Sequence, residues 1–497
     1  MHRAAMQPKN LLLLMSDEHN PKVMGCAGHP FIRTPNLDRL AARGTRFTTA
    51  YTASPICVPA RAAFALGKYI HQVGYWDNVD AYEGATPSWH HHLRARGHDV
   101  TSIGKLHFRG MPGDDHGLSQ EIVPMHIYQG RGDIKMLIRN PPPLRKGGAK
   151  LAKSAGPGES SYTVYDRDIA SQAQVWLHQQ GERERREGSP AKPWVLFVSL
   201  VAPHFPLTAP PEHYYEYWQR ELPMPKLYEK SQRPAHPYVR DYAEISMYDQ
   251  GFDGPESVKR ALAGYFGLVS AVDENIGKVL AALERCGLAA NTRVLYTSDH
   301  GDNNGARGLW GKSTMYEESA GVPMILAGPD VPAGRRNGTP ASHVDVLPLA
   351  LQCVGADDPE LRAGCPGVSL LDLAREPERD RAVLSEYHTV GSRSAVFMLR
   401  DARYKYVHYL DGYPPQLFDM AGDPEELADL GAAPSGRAIV RSMEAKLREF
   451  CDPQEVDRRA KQRQMELLER FGGYEAAMKT GDLGYTPAPG NRPDFNP

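Results

Sequence analysis

The sequence predicts an α/β fold, with a large and mostly parallel β-sheet sandwiched by helices and a smaller antiparallel sheet towards the C-terminus. Three observations predict it. Short apolar runs at 10–15, 100–104 and 194–201 alternate with amphipathic stretches such as 34–44. A long helix is expected over 256–286, where apolar residues recur at helical spacing, and it leads into another strand at 292–297. From about residue 382 the pattern changes to short alternating strands, clearest at 395–400 and 404–409, followed by one charged helix near 438–471.

The elements can be justified in order. Segment 34–44 carries Thr34 as a cap, Pro35 at the first helical position and Gly44 as a stop, so its bounds are well marked. Between 140 and 160 the composition shifts to Pro, Gly, Lys and Ser, which reads as an exposed mobile loop, and 183–192 reads as a charged turn. The tail 472–497 is rich in Gly, Pro and Asn and cannot form its own core; it is expected to fray or to dock on a neighbouring subunit of a dimer or tetramer. The expected units are therefore a catalytic domain over 1–380, a sheet-plus-helix subdomain over 381–471 and this extended tail.

Lys plus Arg total 58 against 60 for Asp plus Glu, so no global field exists to grip nucleic acid or an anionic membrane. Any anion chemistry must be local. The first ten residues and the short run Leu11 to Met15 do not make a signal peptide or a membrane span, so a soluble cytoplasmic protein is expected. Cys26, Cys57, Cys286, Cys353, Cys365 and Cys451 show no metal-pair spacing and no disulfide framework, in keeping with a reducing compartment.

Three clusters carry chemistry. Ser54-Pro-Ile-Cys57-Val-Pro59-Ala-Arg61 opens an Ala-rich helical stretch; a Cys at a helix start faces free backbone N–H groups, and Arg61 adds a fixed positive charge one turn on. Ser16-Asp17-Glu18-His19 follows the first strand, and Ser298-Asp299-His300-Gly301-Asp302 follows the strand at 292–297. In open α/β sheets ligands sit at the carboxyl ends of strands. Carboxylates from two such ends, with an imidazole beside one of them, suit a hard or borderline divalent cation; helix capping is the bland reading of either pair alone. Basic residues recur at strand ends or just after them, in Gly104-Lys105-Leu-His107, Pro203-His204 and Trp310-Gly-Lys312, and together could surround a tetrahedral anion.

Cys57-Val-Pro59-Ala-Arg61 resembles the sulfatase signature, in which the Cys is oxidised to formylglycine, and the likeness extends through Asp17, 34–44, 104–107, Pro203-His204, Asp299-His300-Gly301, 310–312, Val322-Pro323 and 416–425. On these motifs the chain is identified as a member of the sulfatase branch of the alkaline phosphatase superfamily. The resemblance implies an alkaline phosphatase-like catalytic domain and a small-molecule sulfate ester, aryl or alkyl, as substrate. It implies a formylglycine-generating enzyme as maturation partner and one divalent cation, Ca2+ or Mn2+. Hydrated formylglycine at position 57 would attack sulfur, release the alcohol and then expel sulfate. Asp17, Glu18, Cys57, Asp299 and His300 would hold the cation, and Arg61 with Lys105 would position the diol. His107 would be the base, while His204 and Lys312 would bind the transferred group and assist the leaving oxygen.

Glu18 and His300 depart from the commoner sulfatase pattern of a second Asp, and of Asn or Gln. His300 and Asn78 resemble the choline sulfatases and phosphonate monoester hydrolases of the superfamily, with Asn78 expected near the anion. Lys105 and His107 resemble sulfatases rather than the phosphonate enzymes, so a phosphonate monoester or phosphodiester hydrolase with the same nucleophile is the second reading. A thiolate phosphatase would need Arg six residues after the Cys, where Ala63 stands, and a binding paralogue would lack a site residue that this chain retains. His90-His91-His92 reads as helix surface or packing, and Tyr214, Tyr215, Tyr217 and Trp218 read as packing. Tyr75 and Trp76, beside Asn78, could wall the site, and contacts to the leaving group are expected from 140–160 and the tail.

Overall fold

The computed structural model describes residues 7–493 and 495–496; the first six residues of the expected cytoplasmic N-terminus lie outside them. The main sheet has eight strands, β1 (Asn10–Asp17), β2 (Gly44–Phe47), β3 (Val100–Lys105), β4 (Gln120–Met125), β5 (Val195–Pro203), β6 (Thr292–Ser298), β7 (Met324–Ala327) and β8 (Arg335–Asn337). Their spatial order is β8-β2-β7-β6-β1-β5-β3-β4, and all but β7 run in one direction.

The central strand shows why the sequence folds this way. Side chains alternate across a strand, yet β1 is apolar at five successive positions, Leu11 to Met15, because both of its faces are covered. Leu12 and Leu14 pack with α3 (Ser161–Glu187) and α4 (Pro255–Arg285), whereas Leu11, Leu13 and Met15 pack with α2 (Cys57–Leu66) and α5 (Val346–Val354) on the other side. Each fully buried leucine contributes about 1.5–3 kcal/mol by leaving water. The helix expected over 34–44 is α1 (Pro35–Ala42), with Pro35 at its start.

The second sheet is antiparallel, with β9 (Val383–Tyr387), β10 (Val396–Arg400), β11 (Tyr404–Tyr409) and β12 (Gln416–Asp419) in sequential order. One face, through Phe397, Leu399 and Leu417, packs on Met443 and Leu447 and on Ala63 of the main body; the other, through Met398, Val407 and Phe418, packs on Tyr51 and Tyr316.

Four local expectations are corrected. The charged turn expected at 183–192 is helix as far as Glu187, the end of α3, because its Glu and Arg residues are good helix formers. The single charged helix near 438–471 is two, α6 (Arg437–Phe450) and α7 (Pro453–Arg470). Pro453 cannot continue a helix, and Asp452 caps the new one by accepting from the Gln454 N–H. Segment 140–160 is not a free loop: Lys146–Ser154 forms tight helical turns, and Leu151 with the following Ala155 joins the main core. The tail is not wholly extended, since Gly473–Lys479 is a helix and residues 482–486 return to this chain's own cavity. No helix among the described residues is long and apolar enough to cross a membrane.

Candidate active site

Four neighbouring parallel strands, in the order β6-β1-β5-β3, deliver the chemistry at their carboxyl ends. Ser16 pairs with Ser298, so Asp17 and Asp299 leave the sheet side by side; Asp17 also pairs with Pro203, which brings His204 alongside, and β3 ends at Lys105. Facing these ends is the first turn of α2, which starts at Cys57. Asn78, predicted near the anion, supports this turn through its Oδ1, which accepts from the Val58 N–H at 3.0 Å.

Cys57 Sγ lies 3.2 Å from His300 Nε2 and 3.8 Å from Asp17 Oδ1, and one ligand atom each from Asp17, Cys57, Asp299 and His300 falls within 4.8 Å of the others. Asp17, Glu18 and His204 form a second such group. Arg61 ties the carboxylates together: its Nη2 reaches Asp17 Oδ2 at 3.1 Å, its Nε donates to Asp299 Oδ2 at 2.8 Å, and its Nη1 donates to the Lys105 carbonyl and to Ser199 Oγ. Lys105 Nζ sits 2.5 Å from Asp17 Oδ2. Lys312 Nζ donates to Glu18 Oε2 at 3.1 Å and lies over the ring of Phe205. All of these charged groups are buried.

Burial and opposite charges compete at each group. Burial alone would raise the Asp17 carboxyl, but Lys105, His204, Arg61 and Lys312 hold it well below the usual range. Glu18 goes the other way: burial, opposed by Lys312 and reinforced by Asp302, lifts it to about 8. The Cys57 thiol is pushed up to about 12 by burial and by Asp17, against Lys312 and Lys105. Burial depresses His107 well below the ordinary imidazole value, and Lys105 and Arg61 add to this; His204 is depressed by burial and Lys312.

The donor set fits a divalent cation. Glu18 Oε1 is buried without a hydrogen-bond partner, and the two groups that share Asp17, one with Cys57, Asp299 and His300 and one with Glu18 and His204, meet where a cation would remove the cost of keeping Glu18 ionised. Strain points to the same place. Glu18, His107 and Ser313 take positive φ of 71°, 56° and 75°, a region that non-glycine residues seldom occupy and that clusters at functional sites. Gly311, beside Glu18, also takes a positive φ of 64°, which glycine adopts without steric cost.

Cys57, Asn78, His107, His204 and Lys312 line one cavity of about 460 Å³. Its walls include Phe205, Tyr242, Tyr248, Arg145 and Tyr485, so both 140–160 and the tail reach it as expected. Tyr75 and Trp76 do not line it; Trp76 instead packs edge-on against His388 and under Arg459. Tyr214 and Tyr217 are buried packing residues, as expected. Ser199 and Asp302 were missed as site residues, although each left a trace: Ser199 is a lone hydroxyl in an apolar strand, and Asp302 belongs to the cluster at 298–302. Tyr248 left none, because only long-range packing brings it here.

Residues 9–356 match the family described as Sulfatase, and residues 305–452 match the C-terminal region of N-sulphoglucosamine sulphohydrolase. The chain is 34% identical over 439 residues to a choline-sulfatase of Rhizobium meliloti (strain 1021), covering 86% of this chain and 83% of that one. Arylsulfatase K of Bos taurus is 27% identical over 469 residues, covering 89% and 82%. A solved phosphonate monoester hydrolase of Silicibacter pomeroyi is similar in fold, with a TM-score of 0.70 at 21% identity over 96% of this chain and 97% of that one. A solved 2-O GAG sulfatase is as similar, with a TM-score of 0.70 at 22% identity over 89% and 92%. The first of these matches spans well over half of the sequence and contains the strand ends, the Cys57 turn and Lys312, so this chain belongs to the sulfatase family.

Proposed function

We propose that this protein hydrolyses a sulfate monoester to an alcohol and sulfate, with Cys57 oxidised to formylglycine and a divalent cation held by Asp17, Glu18, Asp299 and His300. The observation that carries the reading is the placement of Cys57 at the buried end of the cavity, 3.2 Å from His300 and ringed by Arg61, Lys105 and Lys312. Left as a thiol, the residue stays protonated near neutral pH and makes a poor nucleophile. Formylglycine in its place supplies a geminal diol with a hydroxyl nucleophile and a second hydroxyl for regeneration. A bound divalent cation supplies positive charge for the sulfuryl oxygens and lowers the cost of ionising that hydroxyl.

The remaining chemistry belongs to side chains. Arg61 fixes the two aspartates, and Lys105 braces Asp17 beside position 57. Lys312, at the cavity end of this cluster, is placed to neutralise charge on the transferred sulfuryl group. His204 directs Nδ1 at the Phe205 carbonyl, which leaves Nε2 facing Glu18 Oε2 at 3.5 Å and the cavity, where it can serve the leaving oxygen. Both ring nitrogens of His107 are without a hydrogen-bond partner among the described residues, so this base is free to take a proton from position 57.

Lys105 and His107 support sulfate over phosphonate, because the stretch that carries them resembles the sulfatases rather than the phosphonate enzymes. Turnover of an aryl sulfate and of a phenyl phosphonate monoester by the same preparation tests this. Higher kcat/KM for the sulfate is expected, and faster turnover of the phosphonate would reverse the assignment.

A further inference from the structure

We infer that His116, Glu121 and His126 form a second metal site, outside the catalytic cavity, that takes a zinc-like transition-metal cation. None of the three lines that cavity. Glu121 lies on β4 at the edge of the main sheet, His126 directly follows that strand, and His116 lies on the turn before it.

The argument rests on convergence. His116 Nδ1 is 2.8 Å from Glu121 Oε1 and His126 Nε2 is 3.1 Å from Oε2, and one ligand atom from each residue falls within 4.8 Å of the others. A tetrahedral zinc with bonds of about 2.0–2.1 Å separates its ligands by about 3.3 Å, so small side-chain movements would seat the ion. Two imidazoles and one carboxylate are a zinc ligand set that leaves a fourth position for water. Among the described residues no Lys or Arg pairs with Glu121, whose two carboxylate oxygens are each taken by one of these rings, with the His90 ring a further neighbour that feels its charge. His116 Nε2 and His126 Nδ1 have no partner, so each ring directs its single side-chain hydrogen bond at the same carboxylate.

The cluster is held in place and open on one side. The tract at 90–92 contributes here: His90 Nδ1 bonds the His116 carbonyl and His91 Nε2 bonds the Asp115 carbonyl. Arg94 grips the Asp115 carboxylate through two nitrogens, at 2.8 and 2.6 Å. The turn carrying His116 is therefore braced from its own backbone, as preorganised ligands require. His116 is buried, whereas the Glu121 and His126 side chains keep 24% and 20% of their surface exposed, which gives a cation a path from solvent. Just ahead of His126, the Met125 carbonyl accepts from the backbone N–H groups of Leu106 and His107, so an ion here would stiffen the strand end that seats His107.

Zinc binding to the full chain tests the site. Chelator-stripped wild type, Glu121→Gln, His126→Gln and the catalytic-cluster variant Asp299→Asn are titrated with Zn2+ against a chromophoric chelator, and zinc retained after gel filtration is counted by mass spectrometry. Wild type and Asp299→Asn should each hold one zinc that Glu121→Gln and His126→Gln lose, and zinc should raise the melting temperature of the first two by more than that of the last two. Cobalt substitution gives a second check, a visible absorption of tetrahedral type in wild type that persists in Asp299→Asn. Equal zinc content in wild type and in both folded ligand variants, or a cobalt band lost with Asp299→Asn, would overturn the proposal.

Discussion

The two ends of the cavity are built by opposite means. At the inner end, Asp17, Asp299, His204 and Lys105 stand on or just after strand ends, and Cys57 and Arg61 on one helix turn, all buried and cross-linked by short ion pairs. At the mouth, the walls come from the turns near 145–154, from Tyr242 and Tyr248, and from the tail at 482–486. The tail is pinned by Asp482, which pairs with Lys135 at 3.1 Å and Arg145 at 3.5 Å, and by Tyr485, edge-on to Tyr162 and Phe205. Rigid elements place groups to a fraction of an ångström, as bond-breaking needs; irregular segments can vary without disturbing that frame. Chemistry should therefore fail at the inner end, and selectivity should change at the mouth.

The largest effect expected is at position 57. Cys57→Ala should lower turnover by at least about 10⁴-fold, with a melting temperature within about 3 °C of wild type, measured by sulfate release and thermal unfolding. Activity close to wild type would break the comparison at once.

A smaller effect concerns cation and pH together. In the cation-free protein Glu18 keeps its proton on folding to about 8, above its ordinary 4.5, so the unfolded chain binds fewer protons between these values. Stability from this group is full below the lower value and falls as pH rises towards the upper one. A bound cation replaces the proton. The rise in melting temperature on adding Ca2+ or Mn2+ should accordingly be larger at about pH 8 than at about pH 6; a gain that shrinks with pH would show that Glu18 does not hold the ion.

The smallest effect is expected at the mouth. Tyr485→Ala removes an aromatic wall that packs edge-on against Tyr162 and Phe205. KM for an aryl sulfate should rise by roughly threefold to tenfold with kcat changed by less than about twofold. An equal loss in kcat would mean that the mouth also shapes the inner end.

The same contrast explains what could be read from the sequence. Strand ends and the Cys57 turn are local: Leu11 to Met15 mark a strand buried on both faces, and Asp17 must follow it, so the inner end was legible down to single residues. Asn78 was found through likeness alone, and its role as support for the Val58 N–H depends on the fold. Residues 140–160 read as a loose loop because their Pro, Gly and Lys content hides the few apolar side chains, Leu151 and Ala155, that dock them. Tyr75 and Trp76 looked like walls from their nearness to Asn78 in sequence, yet the chain turns Trp76 towards His388. Contacts between distant segments, such as Asp482 with Lys135, leave no periodic trace to read.

The most direct test of the account is the chemical state of residue 57 in active protein. Made in a host with a formylglycine-generating enzyme, the peptide spanning residue 57 should carry an aldehyde in place of the thiol, and sulfate release should scale with the converted fraction across preparations. Full activity from protein whose residue 57 is entirely an unoxidised thiol would contradict it.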